Sequence, residues 1–130
     1  MLTGDALTER VIGLAIEVHR HFGPGLFESV YQQCLCYELA NAGIPYQREV
    51  PVPIVYKDMR LETAFRADIV VAEEVLLELK SVERFSPVHE AQILTYLRVL
   101  GYRVGLLMNF NTLRLKDGLR RFVMDHRTVG

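Results

Sequence analysis

Leu7, Val11, Leu14, Ala15, Val18 and Phe22 recur at three- and four-residue spacing, the period of one helix face. Gly23-Pro24-Gly25 stops that helix. A second helix is predicted from about Leu26 to Ala42, with Gly43 as its C-terminal cap. Pro45, Pro51 and Pro53 then punctuate a strand near Gln47 to Tyr56, which places it at a sheet edge, where a missing N–H does least harm. Lys57-Asp58 reads as a turn, followed by a strand from about Arg60 to Val71, a turn at Glu73-Glu74 and a strand from Val75 to Ser81.

Ser86-Pro87 supplies an N-cap and a first-turn proline for a third helix reaching Leu100, closed by Gly101. Val104 to Met108 is almost wholly apolar, as suits a strand buried on both faces. Leu113 to Lys116 alternates, Asp117-Gly118 turns, and a last short element ends near Met124, so a small C-terminal hairpin is expected. The order α-α-β-β-β-α-β predicts an α/β fold with a mixed central β-sheet flanked by helices. Residues 1–130 are expected to form one domain, long enough to hide roughly two-thirds of the unfolded surface.

The net charge of −1 gives no global attraction to a polyanion, so any such site must be a local patch. Five Lys/Arg (Arg114, Lys116, Arg120, Arg121 and Arg127) face Asp117 and Asp125 in the C-terminal stretch, which reads either as a phosphate-tracking surface or as ordinary solvated charge. Cys34 and Cys36, two apart on a helix, point away from each other and can neither bridge nor pinch a metal. The N-terminus lacks the pattern of a secretory leader, and no run approaches the ~20 apolar residues of a membrane span. The cytoplasm is the expected location, with no membrane partner. His19 and His21 point apart, so a zinc site is not expected. The glycine loop lacks the lysine and Ser/Thr of a phosphate-binding loop.

Asp68 lies in Arg66-Ala67-Asp68-Ile69-Val70-Val71, and ten residues on comes Glu78-Leu79-Lys80. Alternation puts Glu78 and Lys80 on one face of their strand and Leu77 and Leu79 on the other. The Glu-x-Lys spacing is common by chance, but charge inside an apolar strand is expensive unless paired or metal-bound. An exposed Glu-Lys pair on an edge strand is the competing reading. Converging carboxylates favour a hard divalent cation, Mg²⁺ or Mn²⁺, which polarises a phosphodiester and activates water. Directly opposed residues share a face, so Asp68 joins Glu78 only if their numbers pair on an even sum. A strict two-residue Glu73-Glu74 turn would oppose Asp68 to Leu79. A three-residue connection, or a bulge between Asp68 and Ala72, is therefore predicted.

Asp68 followed by Glu78-x-Lys80 on the next strand and then a helix resembles the PD-(D/E)XK phosphodiesterase superfamily. The sequence is most similar to its GxxExxY branch, through Gly25-Leu26-Phe27-Glu28-Ser29-Val30-Tyr31, Glu17-Val18-His19-Arg20 and Pro87-Val88-His89-Glu90-Ala91-Gln92. The resemblance runs from about Leu7 to Phe110 and implies a restriction-endonuclease-like core. It implies Asp68 and Glu78 as metal ligands, Lys80 as the catalytic lysine, Glu28 as a further acid reaching the metal or its water, and Gln92 as a residue bordering the site. Ala67 stands where the superfamily pattern has proline. Read from the residues alone, Glu28 lies on a stripe with Tyr31 and Gln32, and is equally a first-turn acid favoured by the helix dipole. His89 and Tyr96 share a polar stripe with Gln92 and read as boundary residues with local hydrogen bonds.

The expectation is a Mg²⁺- or Mn²⁺-dependent nuclease acting on DNA, with RNA as the alternative polymer. The competing readings are a catalytically silent nucleic-acid- or protein-binding module on the same fold and a regulatory subunit of a larger complex. A homodimer would lengthen the footprint of so small a domain.

Overall fold

The computed structural model describes residues 2–125. Two helices lead, α1 (Gly4–Phe22) and α2 (Glu28–Asn41), followed by β1 (Tyr46–Tyr56), β2 (Met59–Val71) and β3 (Val75–Lys80). Helix α3 (Pro87–Leu100) crosses to β4 (Val104–Asn109), and a 3₁₀ turn (Leu115–Gly118) leads into β5 (Leu119–Val123). The strands form one five-stranded sheet in the order β1-β2-β3-β4-β5, antiparallel except for the β3–β4 pair. This is the expected α/β architecture, a mixed sheet flanked by three helices.

The expected C-terminal hairpin is corrected. Leu113 to Lys116 forms no strand, because Leu115 turns inward and is buried at the start of the 3₁₀ turn. The last element instead joins the main sheet, pairing antiparallel with β4 from Val104↔Val123 to Met108↔Leu119. Arg127 of the predicted basic stretch lies outside the described residues. Among the described residues, no helix is long and apolar enough to cross a membrane.

Two cores fill the layers. One lies between the sheet and α1 and α2, where Leu7, Val11, Leu14, Ala15 and Val18 are buried as their spacing predicts. Phe22, at the end of that stripe, is exposed, since Gly23 turns the chain just beyond it. The α2 stop follows the Schellman pattern: Ile44 N–H bonds Leu39 O, Gly43 N–H bonds Ala40 O, and Gly43 adopts φ 70°. The second core joins Leu76 and Leu107 to Ile93 and Leu97 of α3. Gly105 sets that approach, because a Cβ there would lie 3.0 Å from Ile93 Cδ1 and Leu97 Cδ1. All six residues of β4 are buried, the first five as the apolar run Val104 to Met108 predicts.

Candidate active site

Three residues, Ala72, Glu73 and Glu74, connect β2 to β3, with Ala72 and Glu73 in the left-handed region and Glu74 N–H bonded to Val71 O. The register is Val71↔Val75, Val70↔Leu76 and Ile69↔Leu77, an even sum as predicted. Continuing it places Asp68 level with Glu78.

The ladder ends there because the β1–β2 ribbon rolls over. In a regular strand residues 65, 67, 69 and 71 share a face. Here Phe65 and Ala67 pack toward α3, whereas Ile69 and Val71 pack toward α1 and α2. The partner strand reverses at the same level, with Tyr46 on the α1–α2 side and Val50 and Val52 on the α3 side. At the reversal Glu49, between the pairs Arg48↔Ile69 and Val50↔Ala67, holds φ 54°, a left-handed conformation costly for any residue with a Cβ. Asp68 is carried sideways into the opening between β2 and β3. Its Oδ2 accepts the Leu79 N–H at 2.8 Å, replacing the missing ladder bond, and its carbonyl accepts from Gln32 Nε2 at 3.1 Å. Arg48 in turn donates to Gln32 Oε1 at 3.0 Å, so α2 and β1 both brace the aspartate backbone.

Glu78 is 6% exposed, and its Oε1 has no hydrogen-bond partner among the described residues. Burial is the largest cause that pushes its carboxyl up to about 9, followed by the Asp68 charge and a hydrogen bond between the two carboxyls, while Lys80 acts in the opposite direction. Asp68 is also raised, chiefly by burial, with the Leu79 N–H and Lys80 opposing and Glu49 adding to the rise. Glu78 is therefore the partner that keeps the proton when no cation is present. Lys80, two residues on along the strand, is partly exposed and makes no ion pair within 4 Å among the described residues.

Glu28 opens α2 at the rim of the stripe formed by buried Tyr31, Gln32 and Leu35. Its Oε2 accepts the N–H of Ser81, one residue beyond Lys80, at 3.1 Å. It is not gathered with the other two acids: among the described residues, no three of His, Cys, Asp and Glu form a group able to hold an ion. Gln92 is exposed on α3 and makes no hydrogen bond to the acids among the described residues.

Sequence reasoning undervalued Tyr96. Its phenol is raised by burial and by the charges of Glu78 and Asp68, and its ring stacks on Phe65 at 3.7 Å and 12°. The signal was its i+4 spacing from Gln92. Glu49 was missed because only the sheet register places it beside Asp68. Asn109 was also missed. Buried at the end of β4, it accepts from Val82 N and donates to Val82 O, fixing the chain just after Ser81. His89 serves as a local cap, its Nδ1 accepting the Ser86 N–H at 3.2 Å.

The arrangement joins two converging carboxyls, one of them sealed from water, a lysine beside them, and a third acid at the strand end. Carboxylate oxygens of this kind are the donors that hard divalent cations prefer. Residues 5–122 match the PD-(D/E)XK nuclease superfamily. None of the curated proteins and none of the solved structures matches the chain.

Proposed function

Because the chain belongs to the PD-(D/E)XK nuclease superfamily, we propose that it is a divalent-metal-dependent phosphodiesterase that hydrolyses DNA. Glu78 carries the reading: a carboxyl sealed in an apolar strand, with one oxygen unpaired among the described residues and a second acid beside it, ionises there only at a cost that a bound cation would offset. Asp68 and Glu78 would hold Mg²⁺ or Mn²⁺, with Glu28 reaching the ion's water shell from α2 and Gln92 bordering the substrate. Bound there, the ion polarises the phosphodiester and lowers the pKa of water.

The chain's own residues supply the rest. The Leu79 N–H and the Gln32 amide fix Asp68, so the acid needs no rearrangement to bind. Lys80 places a positive charge beside the developing phosphorane. The GxxExxY placement is supported by what the motif residues do. Gly25 takes φ 106°, Glu28 reaches the end of β3, and the Tyr31 hydroxyl donates to Gly23 O at 2.6 Å and accepts from Leu26 N at 3.2 Å.

Lys80→Met separates binding from catalysis. A protonated lysine cannot ligate a cation, so the variant should bind Mn²⁺ as well as or slightly better than wild type by titration calorimetry. Plasmid nicking should fall by about 10²- to 10³-fold. Asp68→Asn and Glu78→Gln should lose Mn²⁺ binding and nicking together. Nicking by Lys80→Met at the wild-type rate refutes the lysine's role, and Mn²⁺ binding without cleavage of DNA or RNA by wild type favours a silent binding module.

A further inference from the structure

Phe27 stands where its side chain does little for the fold. It occupies the N-cap of α2 with 83% of its surface exposed, and it makes no side-chain capping bond. Serine, threonine, aspartate or asparagine would satisfy a free helix N–H there, so a phenylalanine both forgoes that bond and leaves an apolar ring in water.

The chain around it is nonetheless held firmly. Tyr31, fully buried, clamps the loop by donating to Gly23 O and accepting from Leu26 N. The Ser81 hydroxyl donates to Leu26 O at 2.7 Å, pinning the same loop to the end of β3, directly after Lys80. Val30 N–H bonds Phe27 O at 3.1 Å and begins the helix. The ring is thus presented by a braced loop tied to the strand that carries Glu78 and Lys80.

Phe27 forms one wall of a cleft of roughly 610 Å³, whose other walls include Glu28, Ser29, Ser81 and Asn111. Among the described residues, no lysine or arginine lines it, and a carboxylate does. That chemistry disfavours a phosphate and suits a neutral planar group with hydrogen-bonding edges, stacked on the ring and met by hydroxyl and amide groups.

We propose that Phe27 is a stacking platform for an unpaired nucleobase next to the scissile phosphate, so that the substrate is single-stranded at the site. A base inside a duplex has both faces covered by its neighbours and offers none to the ring; an unpaired base offers one. The inference rests on the nuclease reading and specifies the strandedness of its substrate.

The test uses the full chain in EDTA, with a single-stranded DNA oligonucleotide carrying 2-aminopurine and the same strand in a duplex. Wild type should bind the single strand more tightly and quench its fluorescence. Phe27→Ala should weaken single-strand binding by about 10-fold, abolish the quench and leave duplex binding unchanged. Phe27→Trp should restore both binding and quench. An 83% exposed side chain does not hold the fold together, so the variants can be compared at equal stability. Equal single-strand binding by wild type and Phe27→Ala, or equal losses on single strand and duplex, overturns the proposal. Mn²⁺-dependent cleavage is read separately. Cleavage that survives while Phe27 is neutral removes only the stacking role, whereas Phe27-dependent binding with no cleavage removes only the nuclease reading.

Discussion

Leucine would pack in the place of Glu78, whose strand neighbours Leu76, Leu77 and Leu79 are sealed from solvent. A carboxyl there avoids the cost of a buried charge either by keeping its proton or by meeting a cation. Without metal it keeps the proton, since burial and then the Asp68 charge push it up to about 9 from an ordinary 4.5. A folded pKa above the unfolded one means that the native state holds a proton the unfolded chain releases. That stabilisation is complete below about pH 4.5 and is lost as pH rises toward about 9. In EDTA, the thermal midpoint of wild type relative to Glu78→Gln should therefore fall steadily as pH is raised from about 5 to about 9. Saturating Mn²⁺ should reverse the trend, because an ion held by the ionised pair, as proposed, would stabilise only the folded state. Scanning calorimetry of both proteins across that range provides the check. A wild-type-minus-variant difference that does not move with pH would mean Glu78 is solvated and ionised, against the basis of the proposed metal site.

At the scale of elements, the sequence was legible wherever one periodicity held along a whole segment. The stripe of α1, the Ser86-Pro87 start and Gly101 end of α3, and the apolar run of β4 all express local rules, and their bounds agree with the structure to within a few residues. The register of Asp68 against Glu78 was legible for a related reason, since parity required a three-residue connection or a bulge if the two acids were to meet, and the three-residue connection is found. What alternation could not reveal is the rollover at Glu49, because a face reversal in two strands at once leaves their pairing register unchanged. The C-terminal hairpin failed similarly: Leu113 to Lys116 has a strand's alternation, but burial of Leu115 decided for a 3₁₀ turn. The rollover carries its own prediction. Glu49 holds φ 54°, where glycine is free and alanine is strained. Glu49→Gly should be more stable than Glu49→Ala by about 1 kcal/mol in urea unfolding. Equal stability of the two variants would show that the chain does not hold the left-handed conformation in solution.

Across the whole molecule, charge decides how a polyanion can be held. The net charge is −1, and Arg114, Arg120 and Arg121, the described arginines of the C-terminal segment, are already engaged. Arg120 pairs with Glu90 of α3 and stacks over Phe85, whereas Arg121 pairs with Asp5 of α1, and Arg114 lies near Asp117. Neighbours on a strand point to opposite faces, so Arg120 and Arg121 cannot form one phosphate track, and that part of the sequence expectation gives way. In the proposed function, DNA would instead be held by a cation at Asp68 and Glu78, by Lys80, and by a base on Phe27, with few phosphates neutralised by the protein itself. Each neutralised phosphate contributes a slope of about −0.7 in log affinity against log salt for a single strand. In EDTA, which removes the cation, Lys80 and the base on Phe27 remain; with about three phosphate contacts or fewer, raising salt from about 50 to about 200 mM should weaken single-strand binding by less than roughly 20-fold. Reversing Arg120 and Arg121 to glutamate should leave that slope unchanged, since each arginine already faces a carboxylate on its own side of the sheet. Fluorescence titrations of wild type and the double variant across that salt range measure both quantities. A slope of about −5 or steeper, flattened in the double variant, would restore the C-terminal arginines as the phosphate-tracking surface.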